Sequence, residues 1–234
     1  MFEITYTPRY GDYKDFETIK PGSILDMVQD ISILHSSTLG YGLTGLRDMK
    51  IAWLMQGIKV NFITPVKTGI PIKIFTDVCS MKGASSERGC IITQNGEVVA
   101  RTVANWFTFD TENQRPCRIP RELAETYPIH NFNDDFYAYK KPEIINDSEY
   151  KYTIRVGNKD LDTNMHLNNQ KSAEMLLDVL PFDFNIKYMT LFYKNPAFLG
   201  DELKVYTKKI ENGYYIHLLK SSGEICVAGH FTDT

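Results

Sequence analysis

Asp162, Asn164 and His166 stand two residues apart in the segment Asp160-Leu-Asp-Thr-Asn-Met-His-Leu-Asn-Asn-Gln170, directly ahead of a stretch of helical character from Leu167 to Leu180. Alternate spacing in an extended turn points side chains the same way, and a following helix offers unpaired backbone N–H groups at its start. A carboxylate can activate water, an amide and an imidazole can orient it, and N–H donors can polarise a carbonyl. Those are the parts of a hydrolase for an activated acyl bond. The same residue types also build an ordinary capped turn before a helix, so spacing alone leaves both readings open.

The elements that must hold this segment are written twice. Val60-Asn-Phe-Ile-Thr-Pro-Val-Lys-Thr-Gly-Ile-Pro-Ile-Lys-Ile-Phe-Thr76 lies over Leu191-Phe-Tyr-Lys-Asn-Pro-Ala-Phe-Leu-Gly-Asp-Glu-Leu-Lys-Val-Tyr-Thr207 at a constant offset of 131 (196 − 65, 200 − 69, 204 − 73). Each copy reads as strand, Pro/Gly turn, strand. Downstream, Asn95-Gly-Glu-Val-Val99 is similar to Ser222-Gly-Glu-Ile-Cys226, and upstream Asp15-Phe-Glu-Thr18 is similar to Asp160-Leu-Asp-Thr163. Matches in the same order indicate a tandem duplication. On this register Glu17, Ile19 and Pro21 stand opposite Asp162, Asn164 and His166, so only the second copy is expected to be catalytic.

In the first copy Ile24, Leu25, Val28, Ile31, Leu34 and Leu39 follow helical spacing, with Met27 and Ile33 widening the apolar surface, which predicts a buried helix near 22–39 ended by Gly40 and Gly42. Strands are expected at about 51–62, 70–82, 87–93 and 98–109. A long sheet around one buried helix is the hot-dog fold. The expected architecture is therefore α+β, a tandem double hot-dog of two antiparallel sheets joined into one, each wrapped around a long central helix. Its parts are an N-terminal hot-dog at 1–114, a linker crossing the sheet at 115–147, and a C-terminal hot-dog at 148–234.

Composition narrows the function classes. At 234 residues, 43% hydrophobic and 12% aromatic, the chain can fill a core, and a net charge of −3 gives no case for nucleic acid or an anionic membrane. Cys79, Cys90, Cys117 and Cys226 are scattered without metal-ligand spacing, as expected of reduced thiols in a cytoplasmic protein, and the chemistry requires neither cofactor nor metal. The N-terminal residues lack the basic start and apolar run of a signal peptide, and no stretch is apolar enough to span a bilayer.

With these residues in view, the chain resembles the acyl-acyl-carrier-protein thioesterases, a double hot-dog family of plant plastids and bacteria. Asp162-Thr-Asn-Met-His-Leu-Asn-Asn169 follows that family's Asp-x-Asn-x-His-x-Asn-Asn pattern, and Gln29-Asp30, His35, the strand around Trp53, and Asn95-Gly-Glu-Val-Val-Ala-Arg101 followed by Trp106 are similar to its first half. The resemblance implies hydrolysis of fatty acyl chains from the phosphopantetheine arm of acyl carrier protein, with the N-terminal half shaping the acyl pocket. Asp162 would be general base or nucleophile, and Asn164 and His166 orienting groups. Gln29 and His35 would line the pocket or serve as satisfied core residues, the latter being also the ordinary fate of His130, His217 and His230. Plant members carry a Glu-Cys pair where this chain has Pro196 and Ala197, which leaves Glu174 as a candidate auxiliary group. An acidic carrier protein calls for a basic rim, with Arg115, Arg118, Arg121, Lys140, Lys141, Lys187 and Lys194 as candidates. An acyl-CoA thioesterase and a non-catalytic acyl-binding protein are the other functions such a chain could have, and the internal pseudo-dimer could also form a homodimer.

Overall fold

Gly69 (φ +71°) and Gly200 (φ +88°) mark the repeat in the backbone itself, both left-handed at the turn between matching strands. Glycine alone takes that conformation without a steric penalty. The computed structural model describes residues 1–234, which divide into two units, Met1–Tyr139 and Lys140–Thr234.

In the first unit the strands are β1 (Phe2–Tyr6), β2 (Ile51–Phe62), β3 (Ile72–Lys82), β4 (Ser85–Gln94) and β5 (Glu97–Asp110). They pair antiparallel in the order β1-β3-β4-β5-β2. The β4–β5 turn is made by Asn95 (φ +52°) and Gly96 (φ +85°), two successive positive-φ residues whose twist suits a tight hairpin. Strand β1 pairs along the edge of β3, and its Phe-Glu-Ile-Thr-Tyr alternation suits a strand with one face half-buried.

Helix α1 (Pro21–Thr38) begins with Pro at its first position, where the missing N–H costs nothing. It ends where Gly40 turns left-handed at φ +86°. Ile24, Leu25, Met27, Val28 and Ile31 are buried, and sequestering each such side chain stabilises by about 1.5–3 kcal/mol. Leu34, expected on the buried face, is 47% exposed. A short helix α2 (Leu43–Asp48) follows, and Leu46 joins Val78, Ile119, Leu123 and Tyr127 in a satellite core. Residues 119–127, including α3 (Arg121–Thr126), are thereby packed on β3. Further on, the rings of Phe132 and Tyr137 stack at 4.1 Å and lie over Gly89 of β4, where an added Cβ would meet both at 2.8 or 2.9 Å.

The second unit repeats the pattern with β7 (Glu149–Arg155), β8 (Tyr188–Tyr193), β9 (Glu202–Ile210), β10 (Gly213–Lys220) and β11 (Ile225–Thr232), the short β6 (Arg115–Pro116) having paired with β5. Their order is β7-β9-β10-β11-β8, the same as in the first unit. Helix α4 (Asn169–Leu177) buries Ser172, Ala173, Met175 and Leu176. It is shorter than the 167–180 segment expected. Leu167 and Asn168 precede it as bridge and cap, and Val179 and Leu180 follow as tight turns before Pro181, which cannot continue a helix. No helix is long and apolar enough to cross a membrane.

Candidate active site

The turn before α4 is organised by its own carboxylates. Asp160 is 7% exposed; its Oδ2 accepts the Gly157 N–H at 2.8 Å, and its carbonyl accepts the Asn168 N–H at 2.8 Å, pinning both ends of the segment. Within it, Asp162 N–H donates to the His166 carbonyl at 2.8 Å, and Leu161 and Leu167 form a bridge. Asp162 Oδ1 accepts the backbone N–H groups of Asn164 at 2.8 Å and His166 at 3.0 Å. The loop is therefore curled around Asp162 instead of extended. An aspartate two residues ahead of a free N–H outcompetes extended backbone for it.

The structure brings Asp162, Asn164 and His166 together through main chain. Asn164 is exposed, Asp162 and His166 are half-buried, and the His166 ring meets Phe198 edge-on at 5.2 Å. At the helix start, Asn168 Oδ1 accepts the N–H groups of Gln170 (2.8 Å) and Lys171 (3.3 Å), so those two donors are committed to the cap. Glu174 accepts from Gln170 Nε2 at 2.5 Å and from Lys171 Nζ at 2.9 Å, one turn into α4. Pro196 and Ala197 lie on the neighbouring loop: Leu167 N–H donates to the Ala197 carbonyl at 2.8 Å. No carboxylate enters from those two positions.

The first unit's equivalent turn shows a different register from the one expected. Lys14 N–H donates to the Thr18 carbonyl at 2.8 Å, Tyr13 bridges Ile19, and Ile19 N–H donates to the Val66 carbonyl at 3.1 Å. These repeat the bonds of Asp162, Leu161 and Leu167 at an offset of 148 (162 − 14, 161 − 13, 167 − 19). Lys14, Phe16 and Thr18 thus take the places of Asp162, Asn164 and His166, and Glu17, Ile19 and Pro21 do not. The short Asp15/Asp160 likeness lacks the shared hydrogen bonds; Asp15 Oδ1 makes its own turn, accepting from Glu17 (2.8 Å) and Thr18 (2.7 Å).

Gln29 and His35 belong to α1. Gln29 is half-buried, while His35 is 5% exposed, stacks on Phe2 at 5.0 Å and accepts at Nδ1 from the Arg88 guanidinium at 2.8 Å. Arginine can only donate, so the ring proton sits on Nε2. Burial and the adjacent Arg88 push the His35 pKa down to about 4. Sequence reasoning could not pair His35 with Arg88, which lies 53 residues away on a strand. His217 and His230, expected to be fully hydrogen-bonded, each keep a buried Nε2 without a partner.

The comparisons with known proteins agree with this architecture. Residues 1–127 match the family description "Acyl-ACP thioesterase N-terminal domain", and residues 142–232 match "Acyl-ACP thioesterase C-terminal domain". The curated protein "Acyl-[acyl-carrier-protein] hydrolase FATB1, chloroplastic" of Cuphea viscosissima is 22% identical over 228 residues, covering 85% of this chain and 53% of that protein. The chain therefore spans about half the length of the curated relative it matches. An acyl-ACP thioesterase from Bacteroides thetaiotaomicron superposes with a TM-score of 0.88 at 16% identity, covering 99% of this chain and 96% of that one. The 12:0-ACP thioesterase from Umbellularia californica superposes with a TM-score of 0.84 at 17% identity, again covering 99% and 96%. The structural likenesses establish a shared hot-dog fold, and with family descriptions matched along both halves, this chain belongs to the acyl-ACP thioesterase family.

Proposed function

We propose that the chain hydrolyses the thioester of a fatty acyl chain on acyl carrier protein, releasing free fatty acid, with Asp162 as base or nucleophile. As base, it takes a proton from water while the water oxygen bonds to the thioester carbon. The carbon–sulfur bond then breaks and the proton passes to the departing thiolate. Asn164 and His166 orient the water and the carbonyl, and Glu174 is an auxiliary group that sets the positions of Gln170 and Lys171.

The observation that carries this reading is the Asp162 carboxylate. One oxygen is anchored by two backbone N–H groups while the side chain stays half-exposed, so it is fixed in place and still reachable by substrate. Family membership and the likeness to the 12:0-ACP thioesterase of Umbellularia support a carrier-bound acyl chain as substrate. In this reading residues 1–114 shape the acyl pocket, with Gln29, Ile31 and His35 on one helix. Residues 115–147 link the halves, and 148–234 cut the bond. Arg115, Arg118, Lys140, Lys141, Lys187 and Lys194 are the basic positions for an acidic carrier, whereas Arg121 is engaged with Glu125 at 2.6 Å.

Free-thiol release from acyl-ACP and acyl-CoA of graded chain length tests the proposal. Turnover of acyl-ACP in preference to acyl-CoA is expected. Preference for CoA would make it an acyl-CoA thioesterase, and binding without thiol release a non-catalytic acyl-binding protein. Ile31→Phe, which enlarges the buried face of α1, is expected to move the preference towards shorter chains.

A further inference from the structure

Met165, at the tip of the Asp162 turn, has φ +61° and is 62% exposed. Residues other than Gly, Asn and Asp rarely adopt this backbone region because Cβ crowds the following carbonyl. The turn needs the conformation, since Met165 N–H donates to the Asp162 carbonyl at 3.1 Å, but it does not need a methionine. Nor does the side chain gain core packing in exchange, being largely in solvent. An unbranched apolar chain kept at a strained and exposed position beside a reactive carboxylate points to a ligand.

The neighbouring loop also exposes apolar side chains. Phe198 is 45% exposed and Leu199 54%, although the loop is tied down by three bonds: Leu167 N–H to Ala197 O (2.8 Å), Phe198 N–H to Asp201 Oδ2 (2.9 Å) and Gly200 N–H to Val156 O (2.9 Å). The Phe198 ring is itself fixed, contacted by the His166 ring at 5.2 Å and by the Lys220 ammonium at 5.3 Å. Met165 thus sits on one and Phe198 and Leu199 on the other of two loops bonded to each other, with the Phe198 ring against the imidazole of the turn. Clustered exposed apolar side chains on rigid loops mark a binding surface.

Resting on the thioesterase reading above, we infer that Met165 and Phe198, with Leu199, form an apolar seat for the pantetheine arm that presents the thioester to Asp162. The arm alternates methylene and geminal-dimethyl groups with amides. Its apolar parts suit this surface, and its amides need the water that an open surface leaves them. A long acyl chain would need enclosure on every side, which these exposed side chains do not give it.

Two non-hydrolysable thioethers of one acyl length test this: one built on the full pantetheine arm, the other on ethanethiol alone. Calorimetry is run on the full chain and on the Met165→Gly/Phe198→Ser variant. The wild-type chain should bind the pantetheine compound about tenfold or more tighter than the short one, and the variant should lose most of that advantage while binding the short compound as before. Met165→Gly alone should melt no lower than wild type, since glycine relieves the turn. An advantage that survives in the variant overturns the inference, as does equal weakening of both compounds, which would assign the surface to the acyl chain, or a wild-type chain that prefers neither. Wild-type chain that binds the pantetheine compound with the expected advantage but releases no thiol from acyl-ACP would overturn the hydrolase reading and leave the seat standing.

Discussion

Asp12 and Asp160 hold equivalent places in the two units, 148 positions apart (160 − 12): each carboxylate accepts the backbone N–H three residues earlier, from Arg9 at 2.6 Å and Gly157 at 2.8 Å. Each carbonyl accepts the N–H of the residue that caps the following helix, Lys20 and Asn168, both at 2.8 Å. A buried aspartate thus clamps the turn in both copies, and the second copy places Asp162, Asn164 and His166 inside the clamp where the first has Lys14, Phe16 and Thr18.

Removing the clamp should destabilise both units. Asp12→Ala and Asp160→Ala each strand a backbone N–H, a loss of about 1–3 kcal/mol readable by chemical denaturation. Asp12 should cost more, because it also accepts from the Tyr6 hydroxyl at 2.8 Å and lies 3.4 Å from the Arg9 guanidinium. Burial works against its charge, yet the Arg9 N–H, the Tyr6 hydroxyl and the Arg9 guanidinium outweigh burial and hold its carboxyl below the usual range. Its contribution is then complete above the unfolded aspartate value and disappears as pH falls through the lower folded value. Asp12→Ala should flatten that acid limb.

Substitution can separate the turn-forming role of Asp162 from the catalytic role proposed for it. Asp162→Asn keeps an oxygen to accept from Asn164 and His166, so stability should stay within about 0.5 kcal/mol of wild type while kcat on acyl-ACP falls about 100-fold or more. Asp162→Ala should lose the same activity and, in addition, about 1 kcal/mol of stability. Wild-type turnover by Asp162→Asn would place the base elsewhere, with Glu174 the first residue to substitute.

The first copy's turn should be dispensable to the chemistry. Glu17→Gln removes an exposed carboxylate beside Lys14, Phe16 and Thr18, which occupy the places of Asp162, Asn164 and His166. Its kcat should match wild type. A crippled enzyme with an unchanged melting temperature would sink the one-site account.

His35 should make the fold sensitive to mild acid. Its folded pKa, near 4, lies below the unfolded value of about 6.5, so the unfolded chain takes up the proton first. The stability this group provides is present in full above the unfolded value and declines as pH drops across that window. His217 and His230, whose pKa values burial also lowers, act in the same direction. Denaturation midpoints measured across the window should fall for wild type and fall less for His35→Gln, whose amide can still accept from Arg88.

The order Asp162-Thr-Asn-Met-His, the β2 strand at 51–62 and the paired turns at Gly69 and Gly200 were all legible in the sequence, because alternation and turn chemistry are set by side chains a few residues apart. The tertiary structure decided what the sequence left open. The register ahead of the helices is 148, while behind them it is 131, since 45 positions separate Pro21 from Val66 and only 28 separate Asn169 from Ala197. A single alignment offset cannot span that contraction, and backbone hydrogen bonds are what locate it. Likewise, the placing of His166 against Phe198 and the pairing of His35 with Arg88 depend on partners that folding brings near. The residue types of the site are a property of the sequence; the direction each side chain faces is a property of the packed structure, where distant groups compete for the same hydrogen bonds and surfaces.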